Sequence, residues 1–181
     1  VGNLDAAPST LEAFGVGLEA ITSVAQAASQ VCHDGVMQRA RELARAAGVA
    51  GEVPVAAIIT NRQGEIVAEA ANAMVSLKKA TAHAEMRVIE LAMQQTAASR
   101  LEEYDIWVTL EPCAMCAGAI SHARLRRLYF GAYDPKGGAV EHGTCLFHQK
   151  TTHHRPEIIG GIQEGDCADL LTQFFQNKRQ K

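Results

Sequence analysis

The sequence predicts an α/β protein, a three-layer α/β sandwich, on three observations. Short apolar runs of strand length alternate with helical patterns of roughly 10 to 15 residues, the order that builds strand–helix units. The 181-residue chain is 48% hydrophobic and 20% charged, an ordinary globular composition that argues against disorder along most of its length, against collagen and against a coiled coil. No apolar run approaches the ~20 residues that a membrane-spanning helix needs. There is no internal repeat and no low-complexity linker to mark a second domain.

Residues 1–36 come first and differ in kind from the rest. They are rich in Ala, Gly, Ser and Thr, and LEAFGVGLEAITSVAQAA makes at best a weak helix because two glycines interrupt it. From Met37, MQRARELARAAG places Met37, Ala40, Leu43, Ala44 and Ala47 at helical spacing with arginines on the other face, and Gly48 and Gly51 end it. VPVAAIIT (53–60) and EIVAEAA, joined by Asn61, Arg62, Gln63 and Gly64, read as a hairpin whose first strand is buried on both faces. After a basic loop at Lys78 and Lys79, the stretch from His83 to about Ala98 is helical, with Met86, Ile89, Ala92 and Met93 as its apolar stripe and Arg87, Glu90 and Gln94 facing away. DIWVTL (105–110) is a third strand. Pro112 then precedes CAMCAGAISHA, a small-residue helix that is apolar nearly all round and is therefore expected to be buried. RLYFG (127–131) is a fourth strand, DPKGGAVEHG a glycine-rich loop and EIIGG (157–161) a fifth strand. The last helix, DCADLLTQFFQNKRQK, puts Leu170, Leu171, Phe174 and Phe175 on one face.

Charge is unevenly placed. The chain holds 17 Lys and Arg against 20 Asp and Glu, a formal −3, yet residues 1–36 carry four acids and no base, which leaves +1 for 37–181. From residue 122 onward, nine bases face six acids, a mild excess that permits an anionic partner without demanding one. The opening VGNLDAAPST lacks the basic and apolar regions of a secretory signal. Five cysteines, an odd number, then read as reduced thiols, some of them holding metal, and the expected location is cytoplasmic.

Three features stand together in type and order: His83-Ala84-Glu85 opening one helix, Glu111-Pro112-Cys113, and Cys116 one turn further on. One imidazole and two thiolates are borderline-soft donors that suit zinc, and three protein ligands leave a fourth position for water. Both ligand groups sit at expected helix N-termini, where unsatisfied N–H groups and the dipole favour anionic sulfur. Glu85 lies about 200° round the helix from His83 at 3.6 residues per turn. It is therefore expected not as a ligand but as the carboxylate that takes a proton from water and hands it to a ring nitrogen and a leaving amine. A lone CxxC also fits a redox pair or a structural zinc, for which Cys32, Cys145, Cys167 or a spare His could supply a fourth ligand. The redox pair leaves HAE unexplained, whereas HAE…EPCAMC together match the zinc deaminase signature H-x-E…P-C-x-x-C.

At these residues the chain resembles the cytidine deaminase superfamily, and more closely the bacterial tRNA-specific adenosine deaminases. The likeness runs from about Met37 to the C-terminus and is most specific in TLEPCAMCAGAISHARLRRLYFGAYDPKGGAVEHG, with support from GEVPV, TAHAE and HRPEIIGGIQEGDCADLLTQFF. TLEPCAMCAGAI is shared with bacterial guanine deaminases; HARLRRLYFGAYDPKGGA, the FF pair and the basic tail are what look like the tRNA enzyme. The resemblance implies a cytidine deaminase-like fold with a central mixed five-stranded sheet, one Zn2+ per subunit on His83, Cys113 and Cys116, and Glu85 as proton shuttle. It also implies that Asn72 hydrogen-bonds the flipped base, where a turn role is the rival reading, and that Asp134 lies near the ribose. Phe174, Phe175, Lys178 and Arg179 would touch the anticodon stem-loop, although helical spacing gives the phenylalanines core packing as their main role.

The implied activity is hydrolytic deamination of adenosine to inosine at the wobble position of a tRNA anticodon, by a homodimer. The alternatives are a deaminase of free guanine or another small base, and a non-catalytic zinc protein. The sequence departs from the family pattern at Ala56, Ala70-Ala71 and Lys79-Ala80, positions expected to flank the pocket mouth, where Ala71 in place of an aromatic either enlarges that edge or answers a different neighbour. The chain begins at Val1, and Met37 would make a natural first residue. Residues 1–36 are therefore expected to be an extension outside the working enzyme, and 37–181 the deaminase domain.

Overall fold

A computed structural model describes residues 35–179. The strands are β1 (Ala56–Thr60), β2 (Ile66–Ala71), β3 (Asp105–Leu110), β4 (Arg127–Ala132) and β5 (Glu157–Ile159), in the sheet order β2-β1-β3-β4-β5. β1 pairs antiparallel with both β2 and β3, whereas β3–β4 and β4–β5 are parallel, so the sheet is mixed, as expected. The helices are α1 (residues 35–49), α2 (Ala84–Thr96), α3 (Ala114–Ala123) and α4 (Glu164–Arg179).

Alternation along the strands divides the apolar residues between two cores. Ala57, Ile59, Ile106, Val108, Leu128 and Phe130 face Ala84, Val88 and Ala92 of α2 and Ala117 and Ile120 of α3. On the opposite face, Ile58, Trp107 and Tyr129 meet Val36, Met37 and Ala40 of α1 and Cys167 of α4. These are the three layers. β1 lies inside the sheet and every one of its residues is buried, which explains its unbroken apolar run. Trp107 and Tyr129, paired across β3 and β4, stack with centroids 3.7 Å apart and planes 3° from parallel. The Trp107 indole N–H donates to Thr60 Oγ1 at 3.0 Å.

Several expectations shift in detail. Residue 35 is already helical and Val36 is buried, so α1 is under way before Met37. On α2 the inward face is Ala84, Val88, Ile89 and Ala92, while Met86 and Met93 are only half-buried. The small and β-branched residues of that face pack on the sheet, which leaves both methionines on the flank of the helix. α3 is not buried all round: Cys116, Ala117, Ile120 and Ala123 face inward, but Ala114 is exposed and Met115 and Ala119 are half-covered. On α4, Cys167 and Leu170 are buried and Phe174 half-buried at the 3–4 spacing of one face, whereas Phe175 stands one residue further round and is 44% exposed. The expected weak helix in residues 1–36 and Cys32 lie outside the described residues.

Candidate active site

Because β2 and β3 both run antiparallel to β1, they point the same way, and β4 joins them. Their carboxyl ends therefore deliver Asn72, Glu111–Cys113 and Asp134 to one edge of the sheet, where open α/β folds place their ligand crevices.

His83 and Cys113 are the N-cap residues of α2 and α3, and neither side chain caps its own helix. They face each other instead. His83 Nδ1 lies 3.8 Å from Cys113 Sγ and 3.6 Å from Cys116 Sγ, and the three donor atoms fall within 4.8 Å of one another. The Cys116 thiol, the first-turn N–H groups of Cys116 and Met115, and His83 hold Cys113 down to about 5 against the opposition of burial. Its hydrogen bond to Cys113, together with burial, pushes Cys116 far up. One imidazole and two thiols, of which Cys113 is favoured as the anion, make a donor set that fits a zinc ion. Among the described residues no fourth His, Cys, Asp or Glu joins the group, so Cys145 and Cys167 do not complete a structural site. Glu85 is 4% exposed, and burial, reinforced by Cys113, raises its carboxyl above the usual range.

His83, Glu85 and Cys113 line a cavity of about 170 Å³ together with Asn72, Met74 and Asp134, and Val53, Val55 and Leu110 add apolar lining. That is smaller than a drug-sized pocket and suits one flat ring system. Cys116, fully buried, sits behind His83. All six residues expected in the site are thus brought together.

Asn72 is buried and makes no turn of its own. Its amide Nδ2 donates to Glu52 Oε2 at 3.3 Å, and Glu52 also accepts the N–H groups of Val75 (3.1 Å) and Ser76 (2.7 Å). Asp134 does make a turn, its Oδ1 accepting the N–H of Lys136 and of Gly137, each at 3.0 Å. The loop carrying it is tied to the Glu111–Cys113 segment. Glu111, its side chain wholly buried, accepts the N–H of Asp134 at 3.0 Å on Oε2 and those of Val140 (3.1 Å), Glu141 (2.9 Å) and His142 (2.9 Å) on Oε1. Ala139 N–H donates to Pro112 O at 2.9 Å, and Cys113 and Gly138 form a bridge. Sequence reasoning passed over Glu52 and His142 and named Glu111 only as part of its Glu-Pro-Cys motif, with no role; for the two glutamates the available signal was a lone carboxylate beside Pro or Val-Pro in each apolar stretch, GEVPV and TLEPC.

Of the departures from the family pattern, Ala56 packs with Ala44 and Leu170 on the α1/α4 side, Ala70 is buried, and Lys79 and Ala80 are exposed. None of these, nor Ala71, lines the cavity; Ala71 offers its carbonyl to Arg87 Nη1, and Met74 stands at the wall. Phe175 is not a core residue. With Leu171 it borders a shallow groove that shares Val53, Leu110 and Asp134 with the cavity, and Lys178 Nζ lies 4.8 Å over the Phe174 ring.

The sheet order and the His–Cys–Cys group with its buried carboxyl define a deaminase of the cytidine deaminase-like class, and the sequence profile of the MafB19-like deaminases matches residues 31–179. A tRNA-specific adenosine deaminase of Agrobacterium fabrum is 48% identical over 143 residues, 79% of this chain and 93% of the relative. A solved tRNA deaminase of A-to-I editing at the wobble position superimposes with a TM-score of 0.73 at 47% identity, covering 75% of this chain and 97% of that one. A guanine deaminase from Nitrosomonas europaea, at 22% identity and a TM-score of 0.65 over 78% of this chain and 83% of its own, shares the fold. The chain belongs to the family of bacterial tRNA-specific adenosine deaminases.

Proposed function

We propose that the protein converts adenosine to inosine at the wobble position of a tRNA anticodon, with one zinc ion on His83, Cys113 and Cys116. The observation that carries the reading is the buried Glu85 lining one cavity with His83 and Cys113, in a chain of this family. Zinc, when bound, supplies a Lewis acid that makes water acidic enough to attack near neutral pH. Glu85 would take one proton from the attacking water and pass it to N1 of the adenine as the oxygen bonds C6, then take the second proton from the new C6 hydroxyl and give it to the departing amine, so that water and adenosine become inosine and ammonia.

Asn72, its amide held by Glu52, binds the base, and Asp134 stands at the ribose. A loop nucleotide reaches such a pocket at little unstacking cost. The exposed Phe175, Phe174 with Lys178 above it, and Arg179 continue the contact along the anticodon stem-loop, a role supported by the groove that joins α4 to the cavity. The half-covered outer face of α3 and the exposed Val75 and Leu77 beside α2 support a homodimer. No helix among the described residues is long and apolar enough to cross a membrane. The likeness to bacterial tRNA-specific adenosine deaminases supports a cytoplasmic enzyme working where its tRNA is.

Inosine formation in an anticodon hairpin tests the assignment, with free guanine, adenosine and cytidine in parallel. Wild type forms inosine in the hairpin, and Glu85→Ala lowers the rate by about 10²–10⁴-fold, the usual worth of a positioned acid–base. A near wild-type rate for that variant overturns the mechanism, and activity on free guanine alone overturns the substrate.

A further inference from the structure

We propose that His142 is a positioning residue that, through the buried Glu111 carboxylate, holds the 133–142 loop so that Asp134 faces the cavity; the role given to Asp134 rests on the function proposed above. A carboxylate only accepts, so His142 Nδ1 donates to Glu111 Oε2, at 2.7 Å. That same oxygen takes the Asp134 N–H at 3.0 Å. The imidazole and the Asp134 backbone are therefore fixed on one atom. Of the five hydrogen bonds that converge on Glu111, four come from backbone groups of the loop, and the His142 ring supplies the one from a side chain.

The ring reaches this bond from the surface side. Its side chain is 36% exposed while that of Glu111 is not exposed at all. The Tyr133 ring holds it from another direction, edge-on with centroids 5.9 Å apart, and Tyr133 itself leans edge-on against Phe130 of the core at 5.2 Å. Tyr133 is the residue before Asp134, so the imidazole meets the ring of one residue and shares its acceptor oxygen with the backbone N–H of the next. Asp134 in turn spends Oδ1 on its own turn, which leaves its direction set by where the backbone is held. Removing the ring N–H removes a hydrogen bond to a charged group and frees the Asp134 segment at its cavity end.

The test uses two substitutions in the full chain. His142→Phe keeps a ring against Tyr133 and drops the donor; His142→Asn keeps a donor close to the Nδ1 position. Amide hydrogen exchange, which needs no substrate, is read in peptides covering 134–142. About tenfold faster exchange in His142→Phe with near wild-type exchange in His142→Asn is expected, and wild-type exchange in both overturns the proposal. With the anticodon hairpin, His142→Phe raises KM about tenfold with kcat and metal content near wild type, His142→Asn restores KM, and His142→Phe adds no further loss to Asp134→Ala. Losses that multiply in the double variant, or a fall in kcat with loss of metal, overturn it as well. A wild-type chain that forms no inosine refutes the functional reading by itself and leaves the exchange result to decide the role of His142.

Discussion

Glu52 is a buried carboxylate whose value the N–H groups of Ser76 and Val75 hold below the ordinary 4.5, against the opposition of burial. A group depressed in the folded state stabilises it above the ordinary carboxylate value, and that contribution is lost as pH falls through the lower folded value. Wild type should therefore lose stability in acid more steeply than Glu52→Gln, checked by thermal melts from pH 7 down to pH 3. The same variant should raise KM for the hairpin, because the Asn72 amide loses its charged acceptor. An acid profile identical to wild type would sink this account of Glu52. His83, Glu85, Cys113 and Cys116 were legible in the sequence because one turn of helix or a tripeptide fixes each spacing locally. The Glu52–Asn72 pair was not, since its partners stand on either side of a hairpin and meet only when β1 and β2 pair. The pairing of Glu111 with His142 was hidden for the same reason, with α3 and β4 between them in the chain.

At the scale of elements, the 133–142 loop lies against the Glu111–Cys113 segment with no room to spare. A Cβ on Gly138 would come 2.5 Å from Glu111 Cδ and 2.6 Å from Asp134 O, one a buried side chain and the other backbone, so neither yields cheaply. Gly138→Ala is expected to cost about 1–3 kcal/mol, the usual range for overpacking, measured by urea unfolding. Phe175→Ala presents the opposite case. Its side chain is 44% exposed, so unfolding should be nearly unchanged while binding of the hairpin weakens, checked by fluorescence anisotropy. Strand and helix positions followed from apolar periodicity, but the rotation of each helix did not. α2 turns its methionines to the flank because Ala84, Val88, Ile89 and Ala92 take the inward face, and α3 leaves one apolar side half-covered because the chain supplies no further layer there among the described residues. Periodicity records which residues avoid water and is silent on whether a neighbouring element or a second subunit covers them.

For the whole molecule, the sandwich and its five strands were predictable from the alternation of runs, while the sheet order needed the actual pairings, since β1 takes a central place that its position in the chain does not announce. The charge division has a direct test. A chain lacking residues 1–34, cut so that Val36 keeps its place in the core, should retain zinc and inosine formation and should sediment as a dimer. A large loss of either activity or metal would show that the acidic stretch contributes to the enzyme. Trp107 gives this experiment an optical handle. It is the chain's one tryptophan, 3% exposed and laid flat against Tyr129 in the core shared by α1, β1, β3 and β4. Emission excited selectively at the indole therefore arises from that layer alone. A shift to longer wavelength reports its opening to solvent, and the full-length and shortened chains should give superimposable spectra and unfolding curves by this probe.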